Sequence, residues 1–166
     1  MILLKLPKII GDCNVPGYEK YITCSSCSWN IERELAESGK VGTKDINVGV
    51  AALPPISLAK SMDTASVDLM QNAIAGGALG TAELKFVSTA GVSGKVAVYL
   101  EFKLDNAIVA SWSIDASDDD RPNESVTLWY HKIWMKYYTT TDGETYTAFG
   151  AKGWDRVKNQ EWNSGS

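Results

Sequence analysis

Apolar and polar residues alternate with a period of two along most of this chain. The pattern is clearest at 96–104, where Val98, Leu100 and Phe102 alternate with Tyr99 and Glu101. Successive side chains of a β-strand point to opposite faces, so such a segment buries one face and leaves the other in water. By this criterion, strands are predicted near 2–6, 18–31, 46–50, 56–59, 84–86, 96–104, 107–114, 125–138 and 145–149.

The segment 18–31 is predicted as one long strand whose second half has a small polar face. Its apolar phase is Cys27, Trp29 and Ile31. The opposite phase is Ser26, Ser28 and Asn30. Solvated sheet faces usually carry longer charged side chains, so a row of short uncharged ones favours a surface past which a molecule slides or lodges. An ordinary exposed strand that happens to be rich in serine explains the pattern equally well.

One helix is predicted after the sixtieth residue. Ser66 can cap it, and Asp68 in the first turn favours the positive end of the helix dipole. Gly76 follows the last apolar residue and is suited to end the helix. The face predicted to pack on a sheet is Leu69, Met70, Ala73 and Ile74.

The strand at 125–138 changes phase between Tyr130 and Ile133, which predicts a β-bulge near His131. Trp129 and Trp134 then lie off the buried phase, and outward-facing indoles favour a subunit interface over open solvent. Alternatively, the bulge turns one of the two indoles inward.

The segment 32–44 is charged, contains glycine and has little apolar periodicity, so an exposed and protruding loop is predicted there. Eight or more strands with one short helix predict a mainly β protein, a compact barrel or tight sandwich of antiparallel sheets. Residues 1–162 are assigned to a single domain, and 163–166 form a short tail.

The charge balance excludes some partners. Sixteen basic and twenty acidic residues give a net charge of -4 without a basic patch, which argues against nucleic acid. No run approaches the ~20 apolar residues that cross a bilayer, so no membrane association is expected. Lysines interrupt the apolar residues 1–10 and no small-residue cleavage site follows, so we expect cytoplasmic synthesis without a cleaved signal peptide.

Catalytic and metal-binding patterns are weak. His131 is the one histidine and lies within a predicted strand, where a structural role is favoured over acid-base catalysis. Cys24 and Cys27 resemble half of a redox or zinc motif, but residues three apart on a regular strand face opposite sides. The acidic segment 115–120 fits a solvated turn better than a cation site. No enzyme activity, metal or cofactor is therefore predicted.

Five segments of the chain (17–30, 61–66, 99–111, 123–128 and 153–155) resemble a known family: Hcp, the hexameric tube protein of the bacterial type VI secretion system. The segment 17–30 ends in Ser-Cys-Ser-Trp-Asn, similar to the family's S-W-S-W-G. The last of the five precedes Asn159. Each segment is weak alone, but their order and spacing cover nearly the whole chain. Asn30 stands where glycine is common and Cys27 where an aromatic residue is common.

The resemblance implies a β-barrel flanked by one helix, rings of six copies, and stacked rings that carry effectors in their lumen. It implies that Ser26, Ser28 and Asn30 line the lumen, and that residues 32–44, with Glu34, Leu35 and Lys40, reach a neighbouring subunit or ring. Implied partners are further copies of the chain, the VgrG spike, the contractile sheath and small effectors. The resemblance also implies that the protein is secreted through the type VI machine. The competing hypothesis is a monomeric secreted β-sandwich module that binds a carbohydrate or a protein.

Overall fold

The computed structural model describes residues 1–37, 46–90, 95–118 and 120–163. Within these residues the chain forms thirteen strands and one helix. In chain order they are β1 (Ile2–Lys5), β2 (Ile22–Cys24), β3 (Ser26–Ser28), β4 (Glu32–Glu37), β5 (Ile46–Ala52), β6 (Ile56–Ser61), α1 (Ser66–Ala75), β7 (Ala82–Ala90), β8 (Lys95–Asp105), β9 (Ile108–Asp115), β10 (Asn123–Trp129), β11 (Lys132–Thr139), β12 (Thr147–Asp155) and β13 (Gln160–Glu161). The prediction of a mainly β protein with one short helix is confirmed.

The strands form two packed antiparallel sheets and a separate hairpin. The larger sheet has seven strands in the order β13-β12-β11-β8-β7-β1-β2, and the smaller has four in the order β3-β6-β10-β9. Strands β4 and β5 pair as a two-stranded sheet. The predicted hairpin is confirmed as the antiparallel pair β7–β8, although its glycine-rich turn at 91–94 lies outside the described residues.

The core lies between the two sheets and below the helix. Ile56 and Leu128 from the smaller sheet, Leu84 and Leu104 from the larger, and Leu69 from α1 are each 0% exposed. Burying such a side chain stabilises the fold by about 1.5–3 kcal/mol. These residues follow the period-two and helical patterns of the sequence, which is why the fold class was predictable.

The segment 18–31 is not one strand, contrary to the prediction. Strand β2 pairs with β1 in the larger sheet, whereas β3 pairs with β6 in the smaller. The chain turns between the sheets at Ser25, whose backbone N–H donates to the carbonyl of Ala59 at 2.8 Å. Ile31, predicted to be buried, lies past β3 and is 56% exposed because neither main sheet extends over it.

At the bulge predicted near His131, the structure instead has a crossing between the two sheets. Strand β10 belongs to the smaller sheet and β11 to the larger, and the chain passes between them at residues 130–131. The His131 N–H donates to the carbonyl of Asp105 at 3.0 Å, and the Arg156 N–H donates to the carbonyl of His131 at 3.0 Å. A change of sheet changes which phase faces the core, so it produces the same slip in sequence pattern as a bulge.

The first part of the predicted loop at 32–44 is a strand. Glu32–Glu37 pairs antiparallel with Ile46–Ala52, and 38–45 lie outside the described residues. Residues 32–35 of β4 are all exposed, so this strand lacks the apolar alternation that marks the strands of the two main sheets.

Helix α1 is confirmed, but Ser66 does not cap it, and Met70 and Ile74, which were predicted to pack on a sheet, are 37% and 75% exposed. Ala65 occupies the cap position, and the carboxylate of Asp63 accepts the Ala65 N–H at 2.9 Å. Gly76 ends the helix with φ 69°, a left-handed conformation that glycine adopts without a steric penalty. In the part of the chain that the structure describes, no helix is long and apolar enough to cross a membrane.

Candidate functional site

The outward face of the four-stranded sheet carries short side chains. Antiparallel pairing places Ser26 opposite Ala59 and Ser28 opposite Ser57. The alternation continues through β10 and β9, where Ser125 lies opposite Ser113. We call this surface the hydroxyl face; its members are Ser26, Ser28, Ser57, Ala59, Ser61, Ser111, Ser113, Asn123, Ser125 and Thr127. All of them are exposed or half-buried.

The opposite side of the same sheet is buried. Leu58, Val126 and Leu128 are at most 3% exposed and belong to the core. One face therefore stabilises the barrel, and the other is free to meet a different molecule. Because side chains alternate along each strand, every second residue faces the core and the residues between them face outward.

The ten members of the hydroxyl face are uncharged, although the outward phase of β9 continues beyond them to a carboxylate. The hydroxyls of Ser111 and Thr127 hydrogen-bond across strands at 2.6 Å, and Ser61 donates to Asn123 at 3.5 Å. A first charge, Asp115, lies at one end opposite Asn123. Hydroxyls donate and accept hydrogen bonds, so this surface offers weak polar contacts without electrostatic attraction.

Sequence reasoning found part of this face. The predicted residues Ser26 and Ser28 are both exposed on it. Asn30 is exposed just beyond β3, and its side-chain amide donates to Glu32 at 2.9 Å. The serines of the other three strands were missed, although they also recur every second residue. Strand pairing was needed to place them beside β3.

Trp129 is half-buried at the end of β10 that borders the hydroxyl face. The guanidinium of Arg156 lies 5.0 Å from the centre of its ring, and the His131 ring packs against it edge-on at 4.7 Å. This indole is therefore held by its own chain on two sides.

Trp134 does not face solvent, so the outward orientation predicted for it is wrong. It is 4% exposed, and the ammonium of Lys103 lies 5.1 Å from its ring centre. The residue beside it on β12 is Gly153, to which the Trp162 N–H donates. Trp134 thus fills a site covered by the C-terminal residues, and the alternative of one inward-turned indole holds for it.

Two of the residues implied for contacts between copies, Glu34 and Leu35, lie on the hairpin. Glu34 and Leu35 are exposed on β4, Leu35 at 65%. Lys40 lies outside the described residues. An exposed leucine on a two-stranded hairpin has no partner in the core, which makes this hairpin a candidate contact surface.

His131 and the acidic segment 115–120 were the weak candidates for catalysis and cation binding. The ring nitrogen Nδ1 of His131 contacts the side-chain amide of Asn106, which holds the ring in place. The acidic segment at 115–120 includes residue 119, which is not described. Among the described residues, no group of three histidine, cysteine, aspartate or glutamate side chains is placed to hold a metal ion.

Cys24 and Cys27 both pack against the core, contrary to the expectation that they face opposite sides. The turn at Ser25 moves the chain into the other sheet and so brings both side chains inward. Burial raises the pKa of the Cys24 thiol to about 12 and that of Cys27 to about 11. A thiol with such a pKa is protonated near neutral pH and is a poor nucleophile or metal ligand.

The two-sheet barrel with a flanking helix recurs in solved structures. A type six secretion system protein shares 25% identity with this chain, with a TM-score of 0.85 over 97% of this chain and 98% of its own. Hcp1 from Salmonella typhimurium has 23% identity and a TM-score of 0.73, covering 97% of both chains. The secreted protein Hcp3 from Pseudomonas aeruginosa has 17% identity and a TM-score of 0.57, covering 98% of this chain and 100% of its own.

Sequence comparison identifies the family. The model of the family described as "Type VI secretion system effector, Hcp" matches residues 3–137. A comparison with curated protein sequences finds no significant match. The chain belongs to the Hcp family, the tube proteins of the type VI secretion system.

Proposed function

We propose that this protein is a non-enzymatic subunit that closes into rings of six, and that stacked rings form a conduit lined by the hydroxyl face. The observation that carries the proposal is the contrast between the two sides of the four-stranded sheet. One side is core, while the other presents ten uncharged short side chains. Membership of the Hcp family supports the same function.

The chemistry of the hydroxyl face suits transient carriage. A small effector inside the ring meets hydroxyls repeated on every subunit, each of which contributes a modest hydrogen bond in exchange for water. Many weak contacts retain the cargo during assembly and release it afterwards. Long charged side chains would narrow the passage and bind one charge sign strongly.

The proposal includes partners and a route. Copies of the chain meet head to tail, a heterologous contact that closes when the rotation permits. The VgrG spike would meet one end of the tube and the contractile sheath its outer wall. The protein would be made in the bacterial cytoplasm and leave through the secretion machine.

Measurements of assembly and of export test this function. Size-exclusion chromatography with light scattering and negative-stain microscopy should show rings of six, whereas a monomer of 18.1 kDa would support a binding module instead. Ser28→Glu should leave rings intact but abolish export of effectors carried in the lumen. Thr141→Glu adds the same charge at an exposed position off this face and should export normally. Normal export by Ser28→Glu would overturn the lumen assignment.

A further inference from the structure

A groove runs between the β4–β5 hairpin and the end of β12. It has a volume of about 470 Å³, and its lining includes Ile31, Arg33, Val50, Leu53 and Trp154. It adjoins a second depression of about 440 Å³ that shares Val50, Leu53 and Trp154 and extends to Arg156. We call the two together the arginine groove.

The walls of the arginine groove are apolar and uncovered. Val50 is 78% exposed and Ile31 is 56% exposed, while Leu53 and Trp154 are half-buried. Contiguous exposed apolar side chains of this kind mark interaction sites in soluble proteins. None of these residues belongs to the hydroxyl face, so both surfaces are free to act at once.

The groove is also electropositive. Arg33 donates to the carbonyl of Gly49 and Arg156 to the carbonyl of Tyr130, each at 2.9 Å. Within the described part of the chain neither guanidinium forms an ion pair. No aspartate or glutamate is among the described residues that line the groove. An occupant that is apolar and weakly acidic would match this surface.

Helix α1 of the same protein has that chemistry. Its solvent side exposes Val67 at 64%, Met70 at 37% and Ile74 at 75%. Spacings of three and four residues place them in one stripe along the helix. The single charge within the helix is the exposed Asp68, which follows Val67 in sequence and lies roughly a quarter turn from it around the helix. In a single copy of the chain, these apolar side chains face water rather than the core.

We propose that helix α1 of one copy docks into the arginine groove of the next copy, with Asp68 against Arg33. This inference rests on the proposed function, since it names the contact that closes the ring. The helix and the groove are different surfaces, so each copy uses its helix toward one neighbour and its groove toward the other. An apolar helix stripe lying in an apolar groove is a common mode of recognition.

The first test removes the apolar part of the contact. Ile74→Glu should lower the mass measured by light scattering from the ring to the monomer at micromolar concentration, while Ile74→Leu should keep the ring. Circular dichroism checks that both variants fold. Rings of Ile74→Glu as stable as those of the unchanged protein would overturn this contact without touching the proposed function. A monomeric unchanged protein would instead overturn the proposed function.

The second test reverses charges. Arg33→Glu and Asp68→Arg should each raise the protein concentration at which half of the chains are assembled by about tenfold or more at low salt. The double variant should recover to within about threefold of the unchanged protein, because the pair is restored in reverse. Lys20→Glu, an exposed change of the same charge away from the groove, controls for net charge. Additive losses in the double variant would overturn the pairing.

Discussion

Lys60 and Glu124 form an ion pair at 2.7 Å whose side chains are 1% and 0% exposed. The same ammonium lies 2.8 Å from Asp63 and 3.2 Å from the hydroxyl of Ser66. The pair joins β6 to β10 on the core side of the sheet that carries the hydroxyl face. The first turn of α1 is thereby tied to the back of that face.

Lys60→Met should destabilise the protein by about 3–5 kcal/mol, because it leaves the buried Glu124 and Asp63 without their cation. Urea unfolding monitored by tryptophan fluorescence measures this loss. Lys132→Met is the control, since its pair with Asp105 is about one third exposed and should cost less than about 1 kcal/mol. Equal losses in the two variants would contradict the structural role of the buried pair.

Tyr130→Phe should lower stability by about 1–3 kcal/mol, because it leaves two polar groups without their hydrogen-bond partner. The hydroxyl accepts the indole N–H of Trp29 at 2.8 Å and donates to the carbonyl of Pro54 at 3.0 Å. Urea unfolding measures the loss. Tyr138→Phe removes one longer bond, to Glu101 at 3.3 Å, and should cost less. An unmoved Trp29 indole N–H resonance in the Tyr130 variant would contradict the bond.

Gly11→Ala should lower the melting temperature, because a Cβ atom at this position would approach the backbone oxygen of Tyr21 to 2.2 Å. Backbone cannot move aside cheaply, so a loss of about 1–3 kcal/mol is expected. A Cβ atom at Gly77 meets no heavy atom within 4 Å, so Gly77→Ala should change stability by less than about 1 kcal/mol. Differential scanning calorimetry compares the two, and a tolerated alanine at residue 11 would refute the close approach.

The stability of the protein should fall as the pH rises above about 9. Burial raises the pKa of Cys24 from 9.0 to about 12, so between these values the thiol is protonated when folded and ionised when unfolded. Unfolding then releases a proton, and alkali favours the unfolded chain. Urea unfolding at about pH 8 and about pH 10.5 should show a smaller drop for Cys24→Ser, which has no thiol to titrate. Identical drops in both proteins would contradict the raised pKa.

The predicted strands show where sequence reasoning succeeds and where it fails. The pair β7–β8 was predicted correctly because both strands alternate in sequence and each sends residues into the core, such as Leu84 on β7 and Leu104 on β8. The strands at 18–31 and 125–138 were each predicted as continuous, yet each is divided between the two sheets. No residue type marks such a crossing, and the phase slip between Tyr130 and Ile133 looks the same for a crossing as for a bulge, so neither crossing could be assigned from the sequence.

The candidate site shows the same division. Ser26 and Ser28 were predicted to be exposed from alternation within one strand, and they are. Their neighbours Ser57 and Ser125 come from segments far along the chain and join them through antiparallel register. The alternation along the sequence predicted that Trp134 is exposed, but the C-terminal segment covers it.

Alternation and helix periodicity were enough to establish a mainly β chain with one helix, because burying one face of each element is a local requirement. Membership of strands in sheets was decided by tertiary structure, because it depends on contacts between residues distant in sequence. The hydroxyl face and the arginine groove belong to this second class. Each is built from segments that lie far apart in the sequence and come together when the two sheets and the hairpin pack.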